Sequence, residues 1–181
     1  TLAQALSTEA GEPGDDGLVT NGAPSWRDVA NGSELPPLRS GHAMAYDTAR
    51  GVTLLFGGGG VTPEFQDTWE WDGESWADRT AQGLNPAQRT GHAMVYDATR
   101  GVTVLFGGSG ANSPLQDTWE WDGERWTERT PQGPIPPQRL DHAMVYDAAR
   151  GVTVLFGGHH CDGLVATMDC DQSTEILQDT W

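Results

Sequence analysis

The sequence contains no lysine, and its ten arginines are outnumbered by 26 acidic residues, which gives a formal net charge of −16. Such a surface repels phosphate backbones and anionic lipids, so we expect no nucleic-acid partner. No apolar run approaches the ~20 residues that a membrane-spanning helix needs, so we expect no transmembrane segment. Cationic partners, metal ions and neutral ligands remain compatible with this charge.

Cysteine is also scarce, because Cys161 and Cys170 are the only two. A disulfide between them would require an oxidising compartment, which predicts an extracellular or cell-surface location. The chain begins at Thr1 rather than at Met and shows no signal peptide, so we expect an upstream segment to have been removed or left out. Residues 1–20 are acidic and poor in large apolar groups, which is typical of a flexible leader.

Self-similarity dominates the rest of the chain. RSGHAMAYDTARGVTLLFGG begins at Arg39, RTGHAMVYDATRGVTVLFGG at Arg89 and RLDHAMVYDAARGVTVLFGG at Arg139, a spacing of 50 both times. QDTWEWDG follows in the first two copies, and the third copy reaches QDTW at Gln178–Trp181. A fixed period of this length indicates a repeat architecture.

Each repeat predicts four short antiparallel strands, named a to d. In the first copy, the alternation over His42–Tyr46 predicts strand a, and the apolar run Val52–Phe56 predicts strand b. Thr68–Trp71 alternates as strand c, and after an Asp-Gly hairpin signal strand d begins at Trp76. A four-stranded sheet with two apolar faces must pack against copies of itself, and radial stacking achieves this.

These residues resemble a known family. The Arg-x-Gly-His start, the Gly-Gly pair after strand b and the Trp-Asp-Gly turn followed by Trp are similar to kelch repeats, and the longer pattern GHAMVYD…RGVTVLFGG…DTWEWDG…W resembles bacterial kelch-repeat proteins. The resemblance covers about residues 24–181. It implies an all-β, kelch-type β-propeller with three four-stranded blades, and it divides the chain into a leader, 1–20, and a propeller segment, 21–181.

The first strand of the propeller segment admits two readings. Trp26 lies 50 positions before Trp76, which predicts a lone outer strand d over 24–29. In one reading the chain is part of a longer propeller. In the other, this strand completes the third blade and two chains assemble into six blades, because propellers typically have four to eight. Self-association that completes the propeller is thus left open.

Residues that recur in every repeat are most simply structural, because a catalytic residue is needed once and a packing residue is needed in every blade. We expect the repeated arginine to bond carbonyls or carboxylates between blades, since a buried charge must be paired. The structural set is Arg39, His42, Tyr46, Trp69, Trp76, Arg89, His92, Tyr96, Trp119, Trp126, Arg139, His142 and Tyr146.

Function is expected where the repeats differ. Twenty residues separate Gly158 from Asp179, against eight in the other copies, so the third b–c loop carries a 12-residue insertion. The b–c and d–a loops emerge on one side of a blade, and repeat-specific insertions often line the binding face. The predicted binding residues are His159, His160, Asp162, Met168, Asp169, Asp171 and Glu175 in this loop, with Leu140 and Asp141, which replace the Ser-Gly and Thr-Gly of the other repeats.

The insertion has three interpretations. The first is a recognition loop stapled by Cys161–Cys170, which would stabilise the fold by ~2.5–3 kcal/mol in the chain-entropy view. The second is a copper or zinc site built from soft ligands, namely His159, His160, Cys161, Met168 and Cys170. The third is a calcium loop over Asp169, Asp171, Ser173 and Glu175, although Thr174 and Thr180 replace the expected Gly and Glu. We expect no cofactor, with calcium and copper left open.

Three classes of function follow. The leading hypothesis is a non-enzymatic, exported binding module that uses the b–c and d–a loops to bind a protein or carbohydrate ligand. The second is a structural subunit of an extracellular assembly, whose open blade edges pair with another chain. The third is part of a galactose-oxidase-like copper enzyme, whose chemistry needs a Tyr cross-linked to a Cys, a second Tyr and two His. Here every Tyr is repeat-invariant and both Cys lie in the insertion.

Overall fold

The structure is a computed structural model that describes residues 34–60, 64–80, 83–111, 113–161 and 174–181. The described residues form strands, turns and loops, with no helix among them, and hence none that could cross a membrane as a helix. The predicted leader over 1–20 and the predicted lone strand over 24–29 lie outside the described residues.

Two blades are complete four-stranded antiparallel sheets. The first contains β1 (Ala43–Asp47), β2 (Val52–Phe56), β3 (Thr68–Trp71) and β4 (Trp76–Asp78). The second contains β5 (Ala93–Asp97), β6 (Val102–Phe106), β7 (Thr118–Trp121) and β8 (Trp126–Glu128). Their registers match, since Ala43 lies opposite Phe56 and Ala93 opposite Phe106. The predicted order a to d is confirmed in both.

The third blade has its two inner strands, β9 (Ala143–Asp147) and β10 (Val152–Phe156). Its strand c is reduced to an isolated bridge between Phe156 and Thr180. The insertion begins and ends as a separate antiparallel hairpin, β11 (His159–Cys161) and β12 (Thr174–Ile176). The insertion is therefore anchored at the edge of the blade by a short ribbon.

The blades stack radially, with the innermost strands β1, β5 and β9 adjacent to one another. Between the first two blades, the Phe56 ring meets the Trp126 ring edge-on at 5.2 Å and the His92 ring at 5.8 Å. Phe106 and His142 repeat the second contact at 5.6 Å. Because the apolar faces that meet a neighbouring blade are covered by it, the core lies between blades, as a propeller requires.

Backbone hydrogen bonds also join successive blades. The amide of Gly58 donates to the carbonyl of Arg89 in the next blade at 2.9 Å. A Cβ on the preceding Gly57, whose φ is +65°, would lie 2.8 Å from that carbonyl oxygen. The Gly-Gly pair is thus required by a close approach of two backbones as well as by left-handed conformation.

The repeated arginine corrects one sequence-based expectation. Arg89 is fully buried, and its guanidinium donates to both carboxylate oxygens of Asp117, at 2.8 and 2.7 Å, and to the carbonyl of Gly107. All of these acceptors belong to its own blade, so the expected bridge between blades is wrong. The side chain ties the loop before strand a to the loop after strand b, and only the arginine's backbone carbonyl reaches the preceding blade.

Candidate functional site

The b–c and d–a loops leave the blades at one edge, which we call the loop face. Isolated bridges join the residue before strand a to the residues after strand b in each blade: Ser40 to Gly59, Thr90 to Ser109 and Leu140 to His159. The a–b turns, such as the one that Gly51 closes by donating to the carbonyl of Asp47 at 2.8 Å, lie at the opposite edge.

Four predicted binding residues come together on the loop face of the third blade. Leu140 and His159 exchange two backbone hydrogen bonds of 3.0 Å. Nδ1 of His159 lies 3.8 Å from a carboxylate oxygen of Asp141. Nδ1 of His160 lies 3.2 Å from the carbonyl oxygen of Gln138. The two departures from the repeat, one in the d–a loop and one in the b–c loop, thus form a single cluster.

Asp141 has a conformation that L-residues rarely adopt. Its φ is +55°, whereas the equivalent positions in the other repeats are Gly41 and Gly91, each with φ +64°. Its amide donates to the carbonyl of Gly91 at 2.8 Å, and its side chain is 63 % exposed. Left-handed backbone costs a non-glycine residue about 1 kcal/mol or more, and such strain concentrates at functional sites. The third repeat therefore keeps an exposed carboxylate at a strained position.

The two ends of the insertion pair with each other as β11 and β12. His159 pairs with Ile176, which is 75 % exposed, and Cys161 pairs with Thr174. The other predicted site residues lie outside the described part of the chain: Asp162, Met168, Asp169, Cys170, Asp171 and Ser173, together with the side chains of Cys161 and Glu175. The disulfide and the calcium loop therefore stay predictions. Among the described residues, no three His, Cys, Asp or Glu side chains group as a metal site.

The repeated histidines pack between blades. His92 and His142 are buried against phenylalanine rings, whereas His42, on the open side of the first blade, is exposed. Burial, together with the nearby charge of Arg89, lowers the pKa of His92 to about 3. Burial likewise lowers the pKa of His142 to about 4. Both rings are uncharged at neutral pH.

The repeated tyrosine and tryptophans also make scaffold contacts. Tyr146 donates to the hydroxyl of Thr99 in the preceding blade. The indole nitrogens of Trp69, Trp119 and Trp181 donate to Asp67, Asp117 and Asp179 within their own blades. The Arg139 guanidinium, by its hydrogen bonds to Asp179, holds the pKa of that carboxyl well below its usual range.

A buried glutamate was missed by sequence reasoning. Glu70, at the centre of β3, binds Arg50 at 2.7 Å and Arg79 at 3.3 Å, and it accepts a 3.3 Å hydrogen bond from the indole of Trp121 in the next blade. The sequence did contain a sign of this ion pair. Glu70 lies between two tryptophans in a strand whose two faces are both covered, and a buried charge must be paired.

A cavity of about 720 Å³ opens between the second and third blades. Its lining includes Thr118, Glu120, Arg129 and Val152. Between the first two blades, the equivalents of Thr118 and Glu120 are covered by Trp126 and Trp121 of the next blade. The cavity is thus the place where outer strands of the third blade would pack.

Radial blades that are joined through Gly-Gly backbones, each with a buried Arg–Asp pair inside it, define a kelch-type β-propeller. Residues 17–162 match the family described as the KLHDC2/KLHL20/DRC7 Kelch-repeats domain, and the chain belongs to this family. Kelch-repeat domains generally mediate protein–protein interactions and are typically non-enzymatic. Comparison with curated proteins gave no match. The narrower resemblance to bacterial kelch proteins stays a prediction.

Proposed function

We propose that this chain is a non-enzymatic interaction module that binds a protein partner through the loop face of its third blade. One observation carries the proposal: the two places where the third repeat departs from the others, Leu140-Asp141 and the hairpin beginning at His159, meet on that face. Scaffold residues repeat in every blade, so a clustered departure indicates a role beyond the scaffold.

The chemistry of the cluster favours a partner with basic and apolar side chains. Asp141 offers an exposed carboxylate, and Ile176, which pairs with His159, offers an exposed apolar side chain on β12. The net charge of −16 would steer a cationic segment towards the chain and raise its association rate. A carbohydrate ligand is the second candidate, favoured only by the polar groups of the same face.

We further propose that the protein works outside the cytoplasm, at the cell surface or in the medium. The support is the pair Cys161 and Cys170 within the insertion, because a disulfide there would hold the binding loop in an oxidising environment. The copper-enzyme alternative receives little support, since Tyr96 and Tyr146 are engaged between blades.

The test is a peptide selection followed by loop exchange. Peptides selected from a displayed library on the wild-type chain would be titrated against a variant whose residues 159–178 are replaced by residues 109–116 of the second repeat. We expect the exchange to abolish binding and Asp141→Gly to weaken it about tenfold, or ~1.4 kcal/mol. The control Ala148→Arg, on an exposed a–b turn at the opposite edge, should bind as the wild type does. Unchanged binding by the exchanged variant would refute the proposal.

A further inference from the structure

On the loop face, the contact between the first two blades differs from its copy between the second and third. The b–c loop of the first blade meets the d–a loop of the second, where the side chain of Gln88 donates a hydrogen bond to the Glu64 carboxyl. We call this contact the first seam, and Leu84 belongs to the same d–a loop. At the next seam the equivalents of Glu64 and Leu84 are Pro114 and Pro134. The first seam thus has a carboxylate and a leucine where the other has two prolines.

The frame around these two positions is the same in both blades. A backbone bridge joins Glu64 to Gly59, and the equivalent bridge joins Pro114 to Ser109. Leu84 is 81 % exposed, although its loop runs from β4 of the first blade to β5 of the second and both blades flank it. A constant backbone therefore presents different side chains at each seam, as a recognition surface does.

The carboxylate of Glu64 has no internal cation. One of its oxygens is buried and has no hydrogen-bond partner among the described residues. Burial raises the pKa of this carboxyl, against the smaller effect of the hydrogen bond from Gln88. A carboxylate that the protein desolvates without pairing it is stabilised when a cation approaches.

No arginine of the described residues is free to supply that cation. Each one has a carboxylate oxygen within 3.5 Å, and Arg39, Arg89 and Arg139, which begin the repeats beside the loop face, are held by aspartates of their own blades. Neither Glu64 nor Asp141 is among these partners. The loop face therefore has a carboxylate without an arginine at the first seam and another on the third blade.

The two places also share an apolar component. On the third blade the carboxylate of Asp141 is accompanied by Ile176, which is 75 % exposed, and at the first seam Glu64 is accompanied by Leu84. We propose that the partner is an extended protein segment with basic and apolar side chains, which crosses the loop face and binds at both places. The contact at the first seam adds to the third-blade contact of the proposed function and rests on it. Two linked contacts bind more tightly than either alone, because the second forms within the complex.

The first experiment titrates the selected peptides against variants of the first seam. The displayed peptides should have about 20 residues, which reach up to ~66 Å when extended. Glu64→Gln and Leu84→Ser should each weaken binding about fivefold, as the loss of one partly exposed contact does. The control Glu74→Gln removes the same charge from an exposed c–d turn at the opposite edge and should bind as the wild type does. Circular dichroism and thermal unfolding check the folding of each variant, and Leu84→Lys, which repels basic side chains, replaces Leu84→Ser if that variant unfolds.

The second experiment divides a selected peptide into halves. One half should respond to Asp141→Gly but not to Leu84→Ser, and the other half should show the reverse. Each half should bind at least about tenfold more weakly than the whole peptide. In the complex, the Glu64 carboxyl should titrate at a lower pH than in the free protein, because a nearby cation favours its charged form. Nuclear magnetic resonance of the side-chain carboxyl carbon measures this change.

The outcomes separate the first seam from the third blade. If exchange of the third-blade loop abolishes binding while Glu64→Gln and Leu84→Ser have no effect, the crossing segment is refuted and the proposed function stands. If only the variants of the first seam lose binding, both are refuted. Selected peptides without Lys or Arg, or a Glu64 carboxyl that titrates at the same pH in the complex, would overturn the basic chemistry assigned to the partner.

Discussion

Trp126 donates its indole N–H to the hydroxyl of Thr68 in the preceding blade, at 2.9 Å, and both side chains are buried. The bond links the outer strand of one blade to the third strand of another. Because the surroundings are apolar, the indole has no water to replace this acceptor. The pair therefore adds a buried hydrogen bond to the apolar packing between the two blades.

Replacement of Thr68 by Val should show how much this hydrogen bond contributes to stability. Thr68→Val removes the acceptor at nearly constant volume and leaves a buried N–H unpaired, which costs about 1–3 kcal/mol. We expect this loss in the free energy of unfolding measured with urea. The matched control is Thr118→Val in the second blade, at the equivalent position, which lines the cavity. A control loss as large as that of Thr68→Val would contradict the assignment.

Buried Arg–Asp pairs provide a second prediction. Arg89→Lys keeps the charge but cannot donate to both carboxylate oxygens of Asp117 and to Gly107, so we expect a loss of about 2–4 kcal/mol in urea unfolding. The control, Arg125→Lys, alters an exposed pair with Asp122 at 3.5 Å and should change stability by less than about 0.5 kcal/mol. Similar effects from both substitutions would count against a structural role for the buried pair.

The fold was predictable because the 50-residue repeat indicates stacked copies of one sheet. The same repetition left the hydrogen-bond partners of Arg89 ambiguous. Every repeat carries an equivalent aspartate, so the sequence does not tell whether Arg89 pairs with the one 28 positions away in its own blade or with the copy in the next blade. Only the coordinates show that the pair closes within one blade. Glu70 was missed for a related reason, since its partner Trp121 comes from the next repeat.

Part of the site was also readable from the sequence. The b–c and d–a loops share an edge, so the meeting of Leu140-Asp141 with His159 followed from strand order alone. The left-handed backbone of Asp141 could have been inferred too, because it aligns with two glycines. The 3.8 Å approach of Asp141 to His159 could not, since side-chain directions in loops depend on contacts that no repeat pattern specifies.

The third prediction concerns Asp141 and its left-handed backbone, where a substitution should weaken binding without lowering stability. Asp141→Gly restores the residue of the other repeats and relieves left-handed strain, so the free energy of unfolding should stay constant or rise by up to about 1 kcal/mol. Binding should weaken under the proposed function. Gly91→Ala should instead destabilise by about 1–3 kcal/mol, because alanine would have to keep the left-handed φ of +64° and its Cβ would lie 3.2 Å from the Cβ of Leu140. Marked destabilisation by Asp141→Gly would show that the carboxylate is a scaffold group.

The last prediction concerns pH. Because burial lowers the pKa of His92 to about 3 and that of His142 to about 4, below the ordinary histidine value of 6.5, the unfolded chain takes up protons before the folded chain does. Stability should therefore be full above pH ~6.5 and fall as pH decreases towards 4, by on the order of 3 kcal/mol for His142 alone.

Paired carboxylates such as Asp67 and Asp117 affect stability in a lower range of pH. Their pKa values are lowered by Arg39 and Arg89 respectively, against the opposing effect of burial, so their contribution is present above the ordinary value of 3.8 and declines only below it. Urea unfolding at pH 7 and at pH 5 thus isolates the histidines. The variant His142→Phe, which keeps an aromatic ring against Phe106, should show a smaller difference between these two pH values than the wild type does. An equal difference in both proteins would mean that His142 is not the group that titrates.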